Sequence, residues 1–289
     1  MNHNHKITLF LPSLNEGGAE KVFINLCEDF IKRGYVVELI LYKLFGDYLH
    51  QIPDDVRIVP LGKKTPIGAL WALIQWVKEE KPTCILSALP EANLLNIAAR
   101  FCTKARYRCI ISEHTILSEN LRAYRRSVFH QIKHALIRTL YKCADQIIVV
   151  SKAAAEDTAR YCKVSANKIK VIYNPLYSLQ LIDMAKTNPD HPWLAADKET
   201  RPYAVLLSVG RFVPEKDHIT LLEAFDILRK ERPVKLFLLG KGPYEESIRK
   251  HAAALGLADE HIDFGGFVQN PYAYMGHADL LVLHSDRKS

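Results

Sequence analysis

The sequence predicts an α/β protein made of two doubly wound domains with parallel sheets, the second incomplete at its C-terminal end. The 289 residues exceed what one hydrophobic core usually supports, and 48% hydrophobic with 25% charged residues is typical of globular domains. Short β-branched runs alternate with longer segments of helical period, which indicates βαβ units. Four dipeptides that end in proline interrupt this alternation between residues 174 and 202: Asn174-Pro175, Asn188-Pro189, His191-Pro192 and Arg201-Pro202. We therefore expect a first domain over 1–173, a connection over 174–202 and a partial second domain over 203–289.

Each element of the first domain follows from its local pattern. The apolar run Lys6–Leu11 predicts a strand, and Ala19–Lys32 predicts a helix with one apolar face, ended by Gly34. The further strands are expected at 36–42, 56–60, 84–87, 108–112, 146–150 and 170–172. The further helices are expected at 71–80, 91–101, 120–142 and 152–162. In the second domain, strands are expected at 203–209, 234–239, 261–264 and 280–283, with helices at 219–230 and 244–255.

Composition excludes several classes of protein. The longest apolar stretch, Gly68–Val77, is shorter than the ~20 residues that cross a bilayer. The N-terminal segment lacks the features of a secretory signal, so we expect a cytoplasmic location. Six cysteines are scattered without a C-x-x-C pair, which argues against disulfides and structural zinc. His130 and His134 lie four residues apart on a predicted helix, but without a nearby acidic ligand we expect no metal there.

The net charge of +7 is concentrated in one region. Residues 100–142 contain ten Lys or Arg and two Glu, which indicates an anionic partner at one surface: substrate phosphates, anionic lipid or nucleic acid. The predicted helix 120–142 is basic and amphipathic, and Arg122, Arg125 and Arg126 are predicted to face the membrane. A core helix with a solvated basic face is an equal alternative. Nucleic acid is the weakest partner, because no stacking-aromatic or recognition-helix motif is present.

Two glycine- or cation-bearing loops are candidate phosphate sites. Gly17 and Gly18 stand between a strand and a helix, where backbone N–H groups and the helix N-terminus attract an anion, although a plain tight turn has the same pattern. Arg211 and Lys216 lie on one loop after an apolar strand. Together they can bind a diphosphate, one as a fork of hydrogen bonds and one as a point charge. A solvated surface pair is the alternative.

Two further loops follow strands of the second domain. Gly240 and Gly242 remove side chains where a ligand can lie against the backbone, and Phe267 with Val268 offers an apolar surface for a flat base. Ordinary strand-to-helix turns remain the alternative for each loop alone. Three such loops in one open sheet favour a ligand site, because ligands of these folds bind outside the carboxyl ends of the strands.

Taken in order, these motifs resemble the signature of the family 4 retaining glycosyltransferases, also called glycosyl transferases group 1. The matching segments are Gly-Gly-Ala-Glu at 17–20, Glu113-His114, Val209-Gly210-Arg211 with Lys216, Leu239-Gly240-x-Gly242-Pro243 and Gly266-Phe267-Val268-x-Asn270-Pro271. The resemblance implies a GT-B fold, in which two Rossmann-like domains face each other across a cleft. It also implies transfer of a sugar from a nucleotide-sugar donor, with retention and without a metal or another cofactor.

The resemblance implies roles for individual residues as well. Arg211 and Lys216 would hold the donor diphosphate and act as catalytic cations. His114 would be the third catalytic residue and lie near the transferred sugar. A histidine that only caps or packs beside Glu113 is the alternative for His114. The expected donor-binding set is Gly17, Gly18, Arg211, Lys216, Gly240, Gly242, Phe267 and Val268.

The pattern departs from the family at its end. The family continues after Leu283-His284-Ser285 with Ser-x-x-Glu-Gly and a second glutamate, whereas Lys288 and Ser289 stand at the first Glu and Gly positions. We therefore expect a truncation before the paired glutamates, by a frameshift or an early stop, which leaves the activity of this chain open.

Three function classes follow. The first is a glycosyltransferase that uses a UDP-sugar and a lipid-linked or polysaccharide acceptor in surface glycan synthesis, in peripheral contact with an anionic membrane. The second is a UDP-sugar epimerase of the same fold, which needs no acceptor. The third is a nucleotide-binding remnant without turnover.

Overall fold

A computed structural model describes residues 6–15, 17–122, 128–174, 179–195 and 198–284, without the side chains of residues 120–122, 129, 179, 180 and 215. The chain divides into two compact units, Met1–Pro175 and Leu176–Ser289. Within the described ranges, no helix is both long enough and apolar enough to cross a membrane.

The first unit is built on a sheet of seven parallel strands in the order β3-β2-β1-β4-β5-β6-β7. The strands are β1 Lys6–Leu11, β2 Val36–Leu41, β3 Arg57–Pro60, β4 Cys84–Ala88, β5 Arg108–Glu113, β6 Gln146–Val149 and β7 Ile169–Val171. The helices are α1 Gly18–Lys32, α2 Pro66–Glu80, α3 Pro90–Thr103, α4 Leu117–Arg122, α5 Val128–Leu140 and α6 Lys152–Cys162.

Helices cover both faces of this sheet. Leu9 and Leu11 of β1 are fully buried in a cluster with Phe23 of α1. Phe10, between them, points to the opposite face and belongs to the cluster that holds α2, α3, α5 and α6, for example Leu73. Because neighbouring strand residues face opposite sides, this alternation places helices on both sides of a parallel sheet.

The second unit has a parallel four-stranded sheet in the order β10-β9-β8-β11. Its strands are β8 Ala204–Val209, β9 Val234–Leu239, β10 Ile262–Gly266 and β11 Leu280–Leu281, and its helices are α7 Leu179–Lys186, α8 Pro192–Ala195, α9 His218–Leu228, α10 Glu245–Ala254 and α11 Pro271–His277. One face of the sheet packs on α9 and α10 through Leu206 and Leu238, and the other packs on α8 through Leu207 and Phe237. The predicted α/β class with parallel sheets is confirmed.

Some elements differ from the sequence prediction. The basic helix expected at 120–142 begins earlier, at Leu117 in α4, and α5 ends at Leu140 before a single 3₁₀ turn. The segment 174–202, expected as a connection, contains α7 and α8. Helix α11 was not predicted. Proline is favourable at a first helical position, here Pro271, and Asn270 caps the helix by accepting from the amide of Ala273 at 3.4 Å.

Candidate functional site

Three loops of the second unit meet at the carboxyl ends of β8, β9 and β10. The amide of Gly210 donates to the carbonyl of Leu239 at 2.9 Å, and the amide of Gly240 donates to Gly266 at 2.7 Å. The amide of Phe212 donates to Lys241 at 2.9 Å. These hydrogen bonds join the loop after each strand to the loop after its neighbour. The structure therefore brings the second-unit loops chosen from the sequence into one surface.

Gly240 and Gly242 allow this close approach. A Cβ at Gly240 would lie 1.9 Å from the carbonyl oxygen of Gly210, and Gly240 has a φ of +144°. A Cβ at Gly242 would lie 2.3 Å from the carbonyl oxygen of Phe212. Both neighbours are backbone atoms that cannot rotate away, so any side chain would push the loops apart. The main reason for glycine at both positions is therefore the close contact between the two loops.

The two cations of the loop differ in setting. Arg211 is exposed, directly after the turn at Gly210. Lys216 is half-buried in a 3₁₀ turn, Pro214–Lys216, and its methylene carbons lie over Gly210, about 3.6 Å from where a Cβ would be. Asp217 follows with a φ of +41° and caps α9 through the amide of Thr220. The loop thus presents one exposed and one half-buried cation above β8.

Beneath this loop lies a set of buried and half-buried groups, Ser208, His218 and His284, whose contacts sequence reasoning missed. His284 contacts the carbonyl oxygen of Lys216 through Nδ1 and the hydroxyl of Ser208 through Nε2, the latter at 2.7 Å. His218 packs edge-on against His284, with ring centres 4.5 Å apart, and against Phe212 at 4.9 Å. Burial, with His284 and Lys216 nearby, lowers the pKa of His218 to about 4. No sequence signal joins residues that are so far apart along the chain.

The loop after β10 is the third side of this surface. Phe267 and Val268 are half-buried, and Val268 packs against the cluster that includes Leu239 and Phe237. Gly266 has a φ of +64°, a left-handed conformation that favours glycine. An apolar patch therefore lies beside the loops that carry the cations.

In the first unit, Gly17 and Gly18 open α1 after β1. Gly17 is the N-cap, and a Cβ there would lie 2.1 Å from a carboxylate oxygen of Glu20. A Cβ at Gly18 would meet nothing within 4 Å. The carboxylate of Glu20 thus lies over the helix start, where the sequence suggested a phosphate. Negative charge at a helix N-terminus is favourable, and here the chain itself supplies it.

Glu113 and His114 end β5 above a buried polar network. The carboxylate of Glu113 accepts from Asn93 at 3.0 Å and from the hydroxyl of Tyr141. Asn93 also donates to the carbonyl of Ser112 at 3.0 Å, and its own oxygen accepts from Ser87 at 2.8 Å. Burial raises the pKa of Glu113 to about 7, despite these donors. Sequence reasoning named Glu113 but found no role for it.

His114 lies beside this network. Its Nε2 is 3.1 Å from the hydroxyl of Ser112, and its ring meets Phe23 of α1 edge-on at 6.4 Å. Its Nδ1 is buried with no hydrogen-bond partner among the described residues. Burial lowers the pKa of His114 to about 4, so the ring is neutral at neutral pH. The structure therefore presents His114 as an uncharged polar group at the carboxyl end of β5.

The remaining sequence predictions concern α4 and α5. The side chains of Arg122, Arg125 and Arg126 lie outside the described part of the chain, so their membrane-facing role stays a prediction. His134 contacts the hydroxyl of Tyr161 at 2.9 Å. Among the described residues, no group of three or more His, Cys, Asp or Glu side chains could hold a metal ion.

Comparison with known families decides the identity of the chain. The model named Glycosyltransferase Family 4 matches residues 16–176, more than half of the sequence. The chain belongs to this family. The model named Glycosyl transferases group 1 matches residues 195–289 of the same glycosyltransferase. The two matches coincide closely with the two units of the structure.

Two relatives illustrate the similarity. The N-acetylgalactosamine-N,N'-diacetylbacillosaminyl-diphospho-undecaprenol 4-alpha-N-acetylgalactosaminyltransferase of Campylobacter jejuni is 27% identical over 290 residues, covering 97% of this chain and 74% of its own. The GalNAc-alpha-(1->4)-GalNAc-alpha-(1->3)-diNAcBac-PP-undecaprenol alpha-1,4-N-acetyl-D-galactosaminyltransferase of the same organism is 24% identical and covers 97% of this chain and 73% of its own.

Solved structures agree on the fold. WaaG, a glycosyltransferase involved in lipopolysaccharide biosynthesis, superposes with a TM-score of 0.73 at 15% identity, covering 98% of this chain and 76% of its own. Anabaena HepE in complex with UDP and glucose gives 0.72 at 20% identity, covering 99% and 75%. These likenesses support the GT-B class and its Rossmann-like units.

Proposed function

We propose that this glycosyltransferase moves a sugar from a UDP-sugar to a lipid-linked or polysaccharide acceptor in surface glycan synthesis, with retention at the anomeric carbon. One observation carries the proposal: Arg211 and Lys216 follow β8 on a loop that is hydrogen-bonded to the glycine loop after β9. Ligands of open parallel sheets bind at this edge. The UDP named in solved structures such as HepE supports the choice of nucleotide.

The chemistry explains why cations are needed there. When the bond between the sugar and the diphosphate breaks, negative charge develops on the leaving oxygens. Arg211 and Lys216 stabilise that charge, and one positioned group of this kind is typically worth ~3 kcal/mol of barrier. Phe267 and Val268 would contact the base, and we infer that no metal is required. The neutral His114 would contact the transferred sugar, and the proximity of Gly17 and Gly18 to the donor stays a prediction.

We assign the acceptor to the first unit, where two features of α5 support a lipid-linked glycan. A cavity of about 1250 Å³ lies beside α4, α5 and α6. Its polar lining can hydrogen-bond sugar hydroxyls and includes Gln131, His134, Arg138, Asp157, Arg160 and Tyr161. On an adjacent face of α5, Val128, Ile132 and Leu136 are 71%, 56% and 42% exposed at a spacing of four residues. An exposed apolar stripe on a basic helix is typical of contact with a membrane surface, here the cytoplasmic face.

The donor assignment is tested by transfer assays with Arg211→Ala and Lys216→Ala. Each variant is expected to lower kcat/KM about 100-fold, the effect of one lost positioned charge. Lys250→Ala is the matched control, because Lys250 is an exposed cation of the same unit that is paired with Glu246 on α10. Because we propose that no metal is required, transfer activity should be unchanged when a metal chelator is added. Unchanged kcat/KM in both cation variants would contradict the proposal.

The same assay separates the function classes. A transferase needs an acceptor, whereas conversion of the UDP-sugar in its absence would identify an epimerase. UDP binding without turnover under any acceptor would instead favour a non-catalytic nucleotide module. Lys288 stands at the first glutamate position that the family resemblance expects, and it lies outside the described residues. The expected truncation therefore stays a prediction, and this assay measures its consequence.

The membrane contact is tested by vesicle flotation. Ile132→Asp is expected to weaken binding to phosphatidylglycerol vesicles about tenfold. It removes an exposed apolar side chain that would enter the membrane surface, and it adds a negative charge that the anionic lipid repels. Ile227→Asp is the control, since Ile227 is at least as exposed as Ile132, at 64% against 56%, on α9 of the second unit. Replacing Arg122, Arg125 and Arg126 should also weaken binding. If neither change affects flotation, the membrane contact is wrong.

A further inference from the structure

The contacts of His284 give it a role in the donor loop. Strand β11 pairs in parallel with β8, Leu280 opposite Leu206 and Leu281 opposite Leu207, and the amide of Val282 donates to Leu207 at 2.8 Å. This register carries the chain along β8 and places His284 beneath the loop that begins at Gly210. The ring then lies between Ser208 on the strand and the carbonyl of Lys216 on the loop.

The hydrogen bonds of His284 can be assigned atom by atom. A backbone carbonyl only accepts, so Nδ1 carries the proton and donates to the oxygen of Lys216. In the neutral ring Nε2 then accepts from the hydroxyl of Ser208, 2.7 Å away. Burial lowers the pKa of His284, which favours this neutral form. Ser208 is buried, with 4% exposure, so the ring contacts the buried strand residue on one side and the loop on the other.

The carbonyl that His284 binds belongs to a peptide with an unusual geometry. The next residue, Asp217, has a φ of +41°, a conformation that costs free energy in a residue other than glycine. A hydrogen bond to the carbonyl before Asp217 stabilises that orientation of the peptide. The orientation in turn sets the direction in which the side chain of Lys216 leaves the turn, over Gly210.

We propose that His284 is a positioning residue for the donor diphosphate. It holds the 216–217 peptide so that the side chain of Lys216 keeps its direction, with its methylene carbons over Gly210. This inference rests on the proposed function, because it assumes that Lys216 binds the diphosphate. His284 itself touches neither the nucleotide nor the sugar. Loss of the His284 side chain should therefore weaken binding of the diphosphate, which Lys216 contacts. It should change binding of the nucleoside much less.

The test compares UDP with uridine by calorimetric titration of the full chain. His284→Phe keeps an aromatic ring but removes both hydrogen bonds. It is expected to weaken UDP binding about tenfold, because the loop loses a hydrogen bond and the charge of Lys216 is displaced. Uridine affinity should be unchanged. His284→Asn retains a donor near the position of Nδ1 and is expected to restore most of the UDP affinity. His251→Phe, on α10, is the control.

The outcomes separate the inference from the proposed function. Equal losses for UDP and uridine, or a failure of His284→Asn to restore affinity while the variant remains folded, would show a merely structural role and overturn the inference. Should His284→Phe fail to fold, Ser208→Ala replaces it, since it removes only the support of the ring and should weaken UDP selectively. If the wild-type protein binds UDP and Lys216→Ala binds it with the same affinity, the proposed donor site itself is wrong.

Discussion

The polar groups at the carboxyl edges of the two sheets lie in opposite environments. In the first unit, Glu113 is buried and His114 is mostly buried, and both owe their pKa values to burial. In the second unit, Arg211 is exposed and Lys216 half-buried, and both lie above loops joined by backbone contacts. The first edge therefore supplies groups whose protonation depends on pH. The second supplies fixed charges whose position depends on backbone packing.

The largest expected effect tests the backbone packing of the second unit. Gly240→Ala places a Cβ 1.9 Å from the carbonyl oxygen of Gly210, at a φ of +144°. Overpacking and backbone strain together should lower the free energy of unfolding of this unit by about 4 kcal/mol. Hydrogen exchange measured by mass spectrometry should show faster exchange in β8 and β9, with β1 and β4 unchanged.

Gly256→Ala is the matched control for this change. Gly256 also has a positive φ, +68°, but a Cβ there meets nothing within 4 Å. Gly256→Ala should therefore lower the free energy of unfolding by about 1 kcal/mol, from backbone strain alone. Equal costs for the two substitutions would show that contact between the loops is not what requires Gly240.

The next effect tests the buried carboxyl of the first unit. The pKa of Glu113 is about 7 in the folded chain against an ordinary value of 4.5. The folded state therefore binds the proton more tightly, and this stability contribution is present below pH 4.5 and lost as pH rises through 7. Glu113→Gln removes the ionisation. Its stability relative to wild type should increase by about 3 kcal/mol between pH 4.5 and pH 8.

Urea unfolding at the two pH values, with first-unit strands followed by hydrogen exchange, measures this difference. The lowered pKa values of His114 and His218 act in the opposite sense, since their contribution is lost as pH falls from 6.5 towards 4. They are present in both proteins and cancel in the comparison. A difference that does not change with pH would show that Glu113 ionises normally.

The smallest expected effect concerns the negative charge of Asp217 next to Lys216. Asp217→Asn keeps the side-chain oxygen that caps α9 and tolerates the positive φ, but removes a negative charge next to Lys216. UDP affinity should rise about twofold at low ionic strength and match wild type in high salt, because solvent ions screen exposed charges. An increase that persists in high salt would point to a conformational cause instead.

Local patterns predicted most of the fold. Helix α6 and strand β9 have the bounds that the sequence predicts, since each is a short periodic run between clear breakers. Helix α2 begins five residues earlier than predicted, at Pro66, because Thr65 caps it by accepting from the amide of Gly68. Capping contacts of this kind decide where helices begin, and periodicity alone does not include them.

The site was predictable only in part. Glycines and cations after strands could be found because parallel strands place their carboxyl ends at one edge. The partners of Glu113 and Lys216 could not be found in this way. Tyr141 lies 28 residues from Glu113, and His284 lies 68 residues from Lys216. Only the tertiary fold brings such residues together, through helix packing for Tyr141 and through the pairing of β11 with β8 for His284, and composition carries no record of either.

The amides that join the second-unit loops have a consequence for the ligand. Those of Gly210, Phe212 and Gly240 already donate to neighbouring loops, so they cannot form the rigid cradle that many phosphate sites build from backbone N–H groups. Under the proposed function, Arg211 and Lys216 would then contribute most of the attraction for the diphosphate, and that attraction weakens with salt. In that case the ionic strength of the surroundings would tune how tightly the donor is held.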